Sequence, residues 1–234
     1  VPVDSFRITN EYGSIDYYTN DQEMVKQILP NLFFEQKYVE EWLTQYIENS
    51  TVALDIGAHC GSHTLMYKKI KPDLLVYAFE PQSMMHDLLC KNVIMNQLAN
   101  VWCFNKAVGN ISGKVEMNEC VSDGHNPTGR IRYGTRDLYN LAGLEVGSGG
   151  EVVEMIRIDD YDFPKIDFMK IDVEGYEPLV IEGAVETIKR DRPIISYESN
   201  SKRAEGVTRS SHTILTNMGY ACRNVWGDNW LAIY

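Results

Sequence analysis

Val52-Ala53-Leu54-Asp55-Ile56-Gly57-Ala58-His59-Cys60-Gly61-Ser62-His63-Thr64 decides the fold. An apolar strand ends in an acid, a glycine turn follows, and a helix begins. Gly57 lets the backbone turn sharply and pass close to a ligand. Gly61 opens the helix with no Cβ in the way. In open α/β sheets, ligands sit beyond the carboxyl ends of the strands, where the strand order reverses. This turn is therefore the expected rim of a binding crevice.

Outward from that stretch, short apolar runs alternate with helical ones. Thr51–Ile56, Leu74–Phe79, Val101–Asn105, Ile166–Ile171 and Pro193–Tyr197 read as strands, with helices near 61–70, 83–97 and 177–190. Continuous apolar runs alternating with helices imply a parallel sheet covered on both faces. Right-handed crossovers make it a doubly wound, Rossmann-like α/β fold. Two last runs, Tyr220–Val225 and Trp230–Tyr234, flank Gly227-Asp228-Asn229 and predict a terminal hairpin whose last strand is antiparallel to the rest. They bring the mostly parallel sheet to seven strands.

At the other end, Phe6, Ile8, Ile15 and Tyr17 around Gly13 predict a hairpin or an edge segment. Helices follow at 21–29 and 35–48. In the second, Tyr38, Val39, Trp42, Leu43, Tyr46 and Ile47 form one apolar stripe. Residues 1–50 are expected to pack ahead of the sheet and cover the site, within a single domain spanning 1–234. Residues 118–150 break the rhythm, with Gly124, Gly129, Gly134, Gly143, Gly147, Gly149 and Gly150 among Arg130, Arg132 and Arg136. They read as an irregular insertion, either a lid over the site or a disordered surface segment.

Composition narrows the function. The chain has 234 residues, 44% of them apolar and 24% charged, which is ordinary for a folded globular protein. A net charge of −11 disfavours nucleic acid as the main partner, because such binders present a basic face. No run approaches the roughly 18 apolar residues of a membrane span. Val1-Pro2-Val3-Asp4 lacks the basic and apolar stretches of a secretion signal. With no initiator Met, it is expected to be a processed end or part of a larger multidomain protein. Cys60, Cys90, Cys103, Cys120 and Cys222 are odd in number and fit no zinc or disulfide spacing. A reducing, cytoplasmic setting is the expectation.

The turn also narrows the nucleotide. A dinucleotide fingerprint needs G-x-G-x-x-G so that a pyrophosphate can reach bare backbone. Here the pattern is Asp-x-Gly-x-x-x-Gly, and the leading acid would repel a pyrophosphate. It suits a ligand with an ammonium and a sulfonium, as in S-adenosylmethionine. Val76-Tyr77-Ala78-Phe79-Glu80-Pro81 supplies the second element. Glu80, at the end of the next strand, can accept hydrogen bonds from both ribose hydroxyls, and Pro81 suits the first turn of the following helix.

DIGAHCGSHT at 55–64, AFEP at 78–81 and Phe168-Met169-Lys170-Ile171-Asp172-Val173-Glu174-Gly175-Tyr176-Glu177 together resemble the FkbM family of methyltransferases. KIDVEG is the most distinctive part. Ile181-Glu182-Gly183-Ala184 and Pro193-Ile194-Ile195-Ser196-Tyr197-Glu198 also fit. The resemblance covers about residues 50–200 without the central loop. It implies an S-adenosylmethionine-dependent O-methyltransferase, with sugar or polyketide-type hydroxyls as typical acceptors. It implies Asp55, Gly57 and Glu80 as cofactor contacts, with Asn105 and Ala107 near the adenine. The family usually has Asn where this chain has His59. The candidate cofactor set is Asp55, Gly57, His59, Gly61, His63, Thr64, Glu80, Pro81, Asn105, Ala107 and Asp172. His63 serves either the cofactor's amino-acid end or helix capping.

Methyl transfer to a hydroxyl is an in-line displacement that needs an oriented acceptor and a base or metal to take its proton. Lys170, Asp172, Glu174 and Glu198 cluster at two strand ends and are the catalytic candidates. Residues 170, 172 and 174 share one face if the strand persists. Asp172, Glu198 and Asn200 would make an oxygen site for Mg²⁺ or Ca²⁺. Without metal, Glu174 or Glu198 is the base and Lys170 fixes the carboxylates. The plainest alternative makes Asp172 a cap and pairs Glu174 with Lys170 on the surface. His212 is a further base candidate, and Tyr133, Tyr139, Trp226 and Trp230 are candidates for stacking on a sugar. Two rival functions stay open: a nicotinamide-dependent oxidoreductase, and a binding module that keeps the cofactor pocket without catalysis.

Overall fold

The computed structural model describes residues 5–19, 32–118, 146–147, 149–199 and 210–234. Its strands are β1 (Ser5–Asn10), β2 (Gly13–Tyr18), β3 (Val52–Ile56), β4 (Leu75–Phe79), β5 (Val101–Phe104), β6 (Ala107–Val108), β7 (Gly113–Asn118), β8 (Gly149–Ile156), β9 (Phe168–Ile171), β10 (Ile194–Glu198), β11 (Ala221–Trp226) and β12 (Asn229–Ile233). The main sheet has the order β11-β12-β10-β9-β3-β4-β5. β3, β4, β5, β9 and β10 are parallel, and β12 lies antiparallel between β10 and β11. The chain leaves β3 toward β4 on one side and returns to β9 on the other. That reversal puts the crevice at the end of β3.

Period-two alternation sends side chains to two cores. Ala53, Val76, Ala78 and Phe168 face the helices α2 (Ser62–Ile70) and α3 (Ser83–Met95). Leu54, Ile56, Phe79, Met169 and Ile171 face α4 (Glu177–Glu182), α5 (Val185–Asp191) and α6 (Ser211–Asn217). The expected helix over 177–190 is thus two. Gly183 breaks it, and a Cβ there would lie 1.9 Å from the Gly109 carbonyl oxygen, so the two segments meet through bare backbone. Pro81 precedes the cap of α3 instead of entering its first turn.

The helix over 35–48 forms as Gln36–Tyr38, a π-helical turn Val39–Leu43, and Thr44–Glu48, here together α1. Its stripe buries Tyr38, Val39, Leu43 and Ile47 in the first core. The expected helix over 21–29 lies outside the described residues. β1 and β2 form the hairpin and are pinned to α3 by Asn92. This fully buried amide accepts from the Asp16 backbone N at 2.8 Å and donates to the carbonyls of Asp16 at 3.0 Å and Cys60 at 2.8 Å.

A second sheet, order β6-β8-β7, was not expected. Val115, Met117, Val153 and Met155 share its small core, so Gly149 and Gly150 belong to a strand and not to an irregular insertion. Residues 119–145, including Tyr133, Tyr139 and the three arginines, lie outside the described residues. Among the described residues no helix is long and apolar enough to cross a membrane.

Asn92→Ala leaves a buried N–H and two buried carbonyls without partners. The expected loss is about 3 kcal/mol or more in urea denaturation. A loss under about 0.5 kcal/mol would show that the hairpin is not held through this side chain.

Candidate active site

A cavity of ≈ 850 Å³, counting its open mouth, lies at the carboxyl ends of β3, β4 and β9. Gly57 turns the chain there at φ 79, and a Cβ at this position would meet the Asp172 carbonyl at 1.7 Å. His59, also left-handed at φ 50, donates its backbone N–H to Glu80 Oε2 at 2.9 Å. Gln82 N donates to Glu80 Oε1 at 2.9 Å. The Glu80 carboxylate is held from both sides at the cavity wall, and each oxygen keeps a lone pair for a ligand. Burial pushes this carboxyl above its ordinary value, against opposing pulls from His59 and Lys170. Phe79, Ala107, Val108, Met117 and Val146 make an apolar wall beside Glu80. Ser83 bonds both Asn105 and Glu151 of β8, which docks the second sheet at this end.

The other end is charged. Lys170 is buried, and its Nζ donates to the Gly57 carbonyl at 2.9 Å. It also meets Asp172 Oδ2 at 3.1 Å and Asp55 Oδ1 at 3.8 Å. Burial alone would lower the ammonium pKa, but Asp172, Asp55 and Glu35 outweigh it and raise it. Burial likewise works against the Asp172 carboxylate, and Lys170 prevails and holds it below the ordinary range. Carboxylate oxygens of Asp172, Glu174 and Glu198 fall within 4.8 Å of one another. Burial, then Asp172, Glu177, Glu35 and Asp228, push Glu198 up to about 8.

The expected alternation of 170, 172 and 174 does not occur. β9 ends at Ile171, and Glu174 reaches the cluster from a left-handed turn at φ 57. Glu177 caps that turn, accepting from Val173 N at 3.0 Å and Gly175 N at 3.1 Å. Burial pushes its carboxyl up to about 7. Pairing of Lys170 with Glu174 at the surface is overturned, since Lys170 is buried against Asp172. Gly57, His59, His63, Glu80, Pro81, Ala107, Lys170, Asp172 and Glu174 line the cavity.

Asp55, Gly61, Thr64, Asn105 and Glu198 are not in its wall. Asp55 lies beneath the floor because β3 is covered on both faces, and it accepts from the Thr64 hydroxyl at 2.6 Å. Asn105 is spent on the carbonyls of Glu80 at 3.1 Å and Pro81 at 2.8 Å. His212 packs edge-on to Trp230 at 5.3 Å, and neither it nor Trp226 or Trp230 is in the wall. Asn200 lies outside the described residues. Sequence reading missed Phe34 and Tyr176 in the wall, and Glu35, whose Oε2 is 3.3 Å from His63 Nε2. These contacts join distant segments, so no local pattern signals them.

Residues 55–222 match the sequence model of the methyltransferase FkbM domain. The 2-O-methyltransferase NoeI of Sinorhizobium fredii is 28% identical over 163 residues, 66% of each chain. An FkbM methyltransferase structure from Methylobacillus flagellatus aligns with a TM-score of 0.54 at 13% identity. That alignment covers 92% of this chain and 58% of the other. An O-methyltransferase from Bacillus cereus, solved with S-adenosylhomocysteine, aligns with a TM-score of 0.50 at 13% identity over 93% and 92% of the two chains. The chain thus spans about two thirds or less of the first two relatives' lengths, and the solved structures share its Rossmann-like methyltransferase fold.

The raised Glu198 carboxyl should be visible in stability. A carboxyl with a raised folded-state pKa stabilises fully below its ordinary value and loses that contribution as pH rises through the raised one. For Glu198 the window runs from about 4.5 to about 8. Glu198→Gln removes this loss, so its melting temperature should gain on the parent as pH climbs from about 5 to about 9. Parallel melting curves across that range would contradict the assignment.

Proposed function

The chain belongs to the FkbM methyltransferase family, and we propose that it moves a methyl group from S-adenosylmethionine to a hydroxyl oxygen, most directly that of a sugar. Methyl transfer from S-adenosylmethionine follows from the family. The oxygen acceptor is supported by the name of the NoeI relative, a 2-O-methyltransferase, and by the chemistry of the cavity.

The donor set fits the cofactor. Glu80 carries the reading: a carboxylate braced by two backbone N–H groups and still able to accept from two adjacent hydroxyls. The apolar wall of Phe79, Ala107, Val108 and Met117 suits an adenine. Asp172 and Glu174 place negative charge at the opposite end, where an ammonium and a sulfonium need it. Gly57 keeps the backbone bare beside them. Asp55 acts one layer down, holding Thr64 and Lys170 in place. When bound, the cofactor supplies an activated methyl with sulfur as its leaving atom.

On the acceptor side, Lys170 keeps Asp172 ionised and aimed, and Asp172 and Glu174 accept hydrogen bonds from the acceptor's hydroxyls. Glu198 lies behind Asp172, where burial and the surrounding carboxylates raise its carboxyl. The nicotinamide reading is set aside by the family. A second reading has an observation of its own: Asp172, Glu174 and Glu198 each offer an oxygen within 4.8 Å of the others, which suits a hard divalent cation such as Mg²⁺ or Ca²⁺. In that reading Glu174 takes the place expected for Asn200.

Glu80→Ala should weaken S-adenosylhomocysteine binding by about 100-fold or more in calorimetry, since two hydrogen bonds to a charged acceptor are lost. Affinity within a few-fold of the parent would contradict the ribose assignment. Labelled methyl should pass from S-adenosylmethionine to a hydroxyl in a panel of p-nitrophenyl glycosides. Label on nitrogen or carbon would contradict O-methylation. No transfer to any acceptor would favour a module that only binds the cofactor. Full activity in excess EDTA would remove the cation reading, and loss restored by Mg²⁺ or Ca²⁺ would establish it.

A further inference from the structure

Taking a proton from a hydroxyl requires a lone pair in the cavity that is not already committed. Asp172 is committed to the Lys170 ammonium at 3.1 Å. Glu198 is absent from the wall. Glu174 lines the cavity too, but a carboxylate is intrinsically a weaker base than an imidazole. His63 differs from all three. It is buried, it lines the cavity from the first turn of α2, and it is held from behind. Its ring packs on Tyr67 with centroids 5.8 Å apart, and its Nε2 faces Glu35 Oε2 at 3.3 Å. It also stands within electrostatic reach of Asp172, which puts it at the carboxylate end of the cavity.

Glu35 is itself fixed. It sits in the left-handed region at φ 55 where α1 begins, a conformation a non-glycine residue adopts only when its surroundings hold it. Its Oε1 accepts from Asn229 Nδ2 at 2.8 Å, and Asn229 is the cross-strand partner of Glu198. An amide from the terminal hairpin, a carboxylate from the N-terminal segment and an imidazole from α2 therefore stand in line behind the cavity.

We propose that His63 is the catalytic base for the acceptor hydroxyl, with Glu35 and Asn229 as positioning residues behind it; this rests on the O-methylation reading above. A carboxylate at Nε2 selects the tautomer with the proton on that nitrogen and leaves the Nδ1 lone pair for the cavity. The Nε2 contact is off-line for a hydrogen bond as it stands. At 3.3 Å the pair is near enough to close, and catalytic contacts commonly tighten in the loaded state. The acceptor proton passes to Nδ1 as its oxygen bonds to the methyl carbon. The electron pair of the broken carbon–sulfur bond stays on sulfur. Glu35 offsets the charge left on the imidazole, which then returns the proton to solvent.

Long-range proton–nitrogen spectra of histidine-labelled protein, with S-adenosylhomocysteine added, test the line directly. His63, identified by its loss in His63→Ala, should show the Nε2–H tautomer, and that preference should vanish in Glu35→Ala and weaken in Asn229→Ala. In the glycoside assay His63→Ala should lose on the order of 100-fold or more in kcat, and added imidazole should restore part of it. An Nδ1–H tautomer, or one indifferent to Glu35→Ala, overturns the proposal. So does a His63→Ala variant that loses cofactor affinity and gains nothing from imidazole, which would make His63 a cofactor contact. A parent protein that methylates no hydroxyl would sink the O-methylation reading instead, while the spectra would still judge the line of residues.

Discussion

Everything at the crevice depends on one buried ammonium. Burying a lone cation costs several kcal/mol unless it is paired and hydrogen-bonded. Lys170 is both: it holds the Gly57 carbonyl, meets Asp172 closely and lies over Asp55. The parallel register makes this possible, because Asp55 on β3 and Lys170 on β9 are direct neighbours. One side chain therefore ties the glycine turn to the strand that delivers the acids. Without it, Asp55 would be a buried charge with only the Thr64 hydroxyl for company, and Asp172 would lose the cation that holds it ionised.

The remainder of the site is assembled around that tie from segments far apart in the chain. Glu80 is braced by the turn on one side and the approach to α3 on the other. Glu177 caps the turn that presents Glu174. Phe34 and Glu35 arrive from the N-terminal segment, and Asn229 from the terminal hairpin. The second sheet joins at the apolar end through Ser83 and Glu151. Polar and charged groups sit at one end and a dry wall at the other. A ligand with an aromatic base and a cationic tail matches that polarity.

The sheet was legible because strands buried on both faces are continuous apolar runs, and because a glycine turn after an acid marks the switch point. Glu80 was legible for the same reason. Asp55 was legible as an acid at a strand end, but its pairing with Lys170 was not, since a sequence does not say that a lysine lies beside it in the next strand. Lys170, Asp172 and Glu174 converge as expected by a different route, a left-handed turn in place of strand alternation. Glu35 carried no signal at all, because its partners His63 and Asn229 are remote in sequence. The second sheet was hidden by brief strands set among glycines.

A crystal structure with S-adenosylhomocysteine bound tests the central claim most directly. The ribose hydroxyls should lie on the Glu80 carboxylate, the adenine against Phe79 and Ala107, and the sulfur at the end where Lys170 holds Asp172. A ligand bound elsewhere, or bound in this crevice with its ribose away from Glu80 and its sulfur remote from Asp172, would contradict the account.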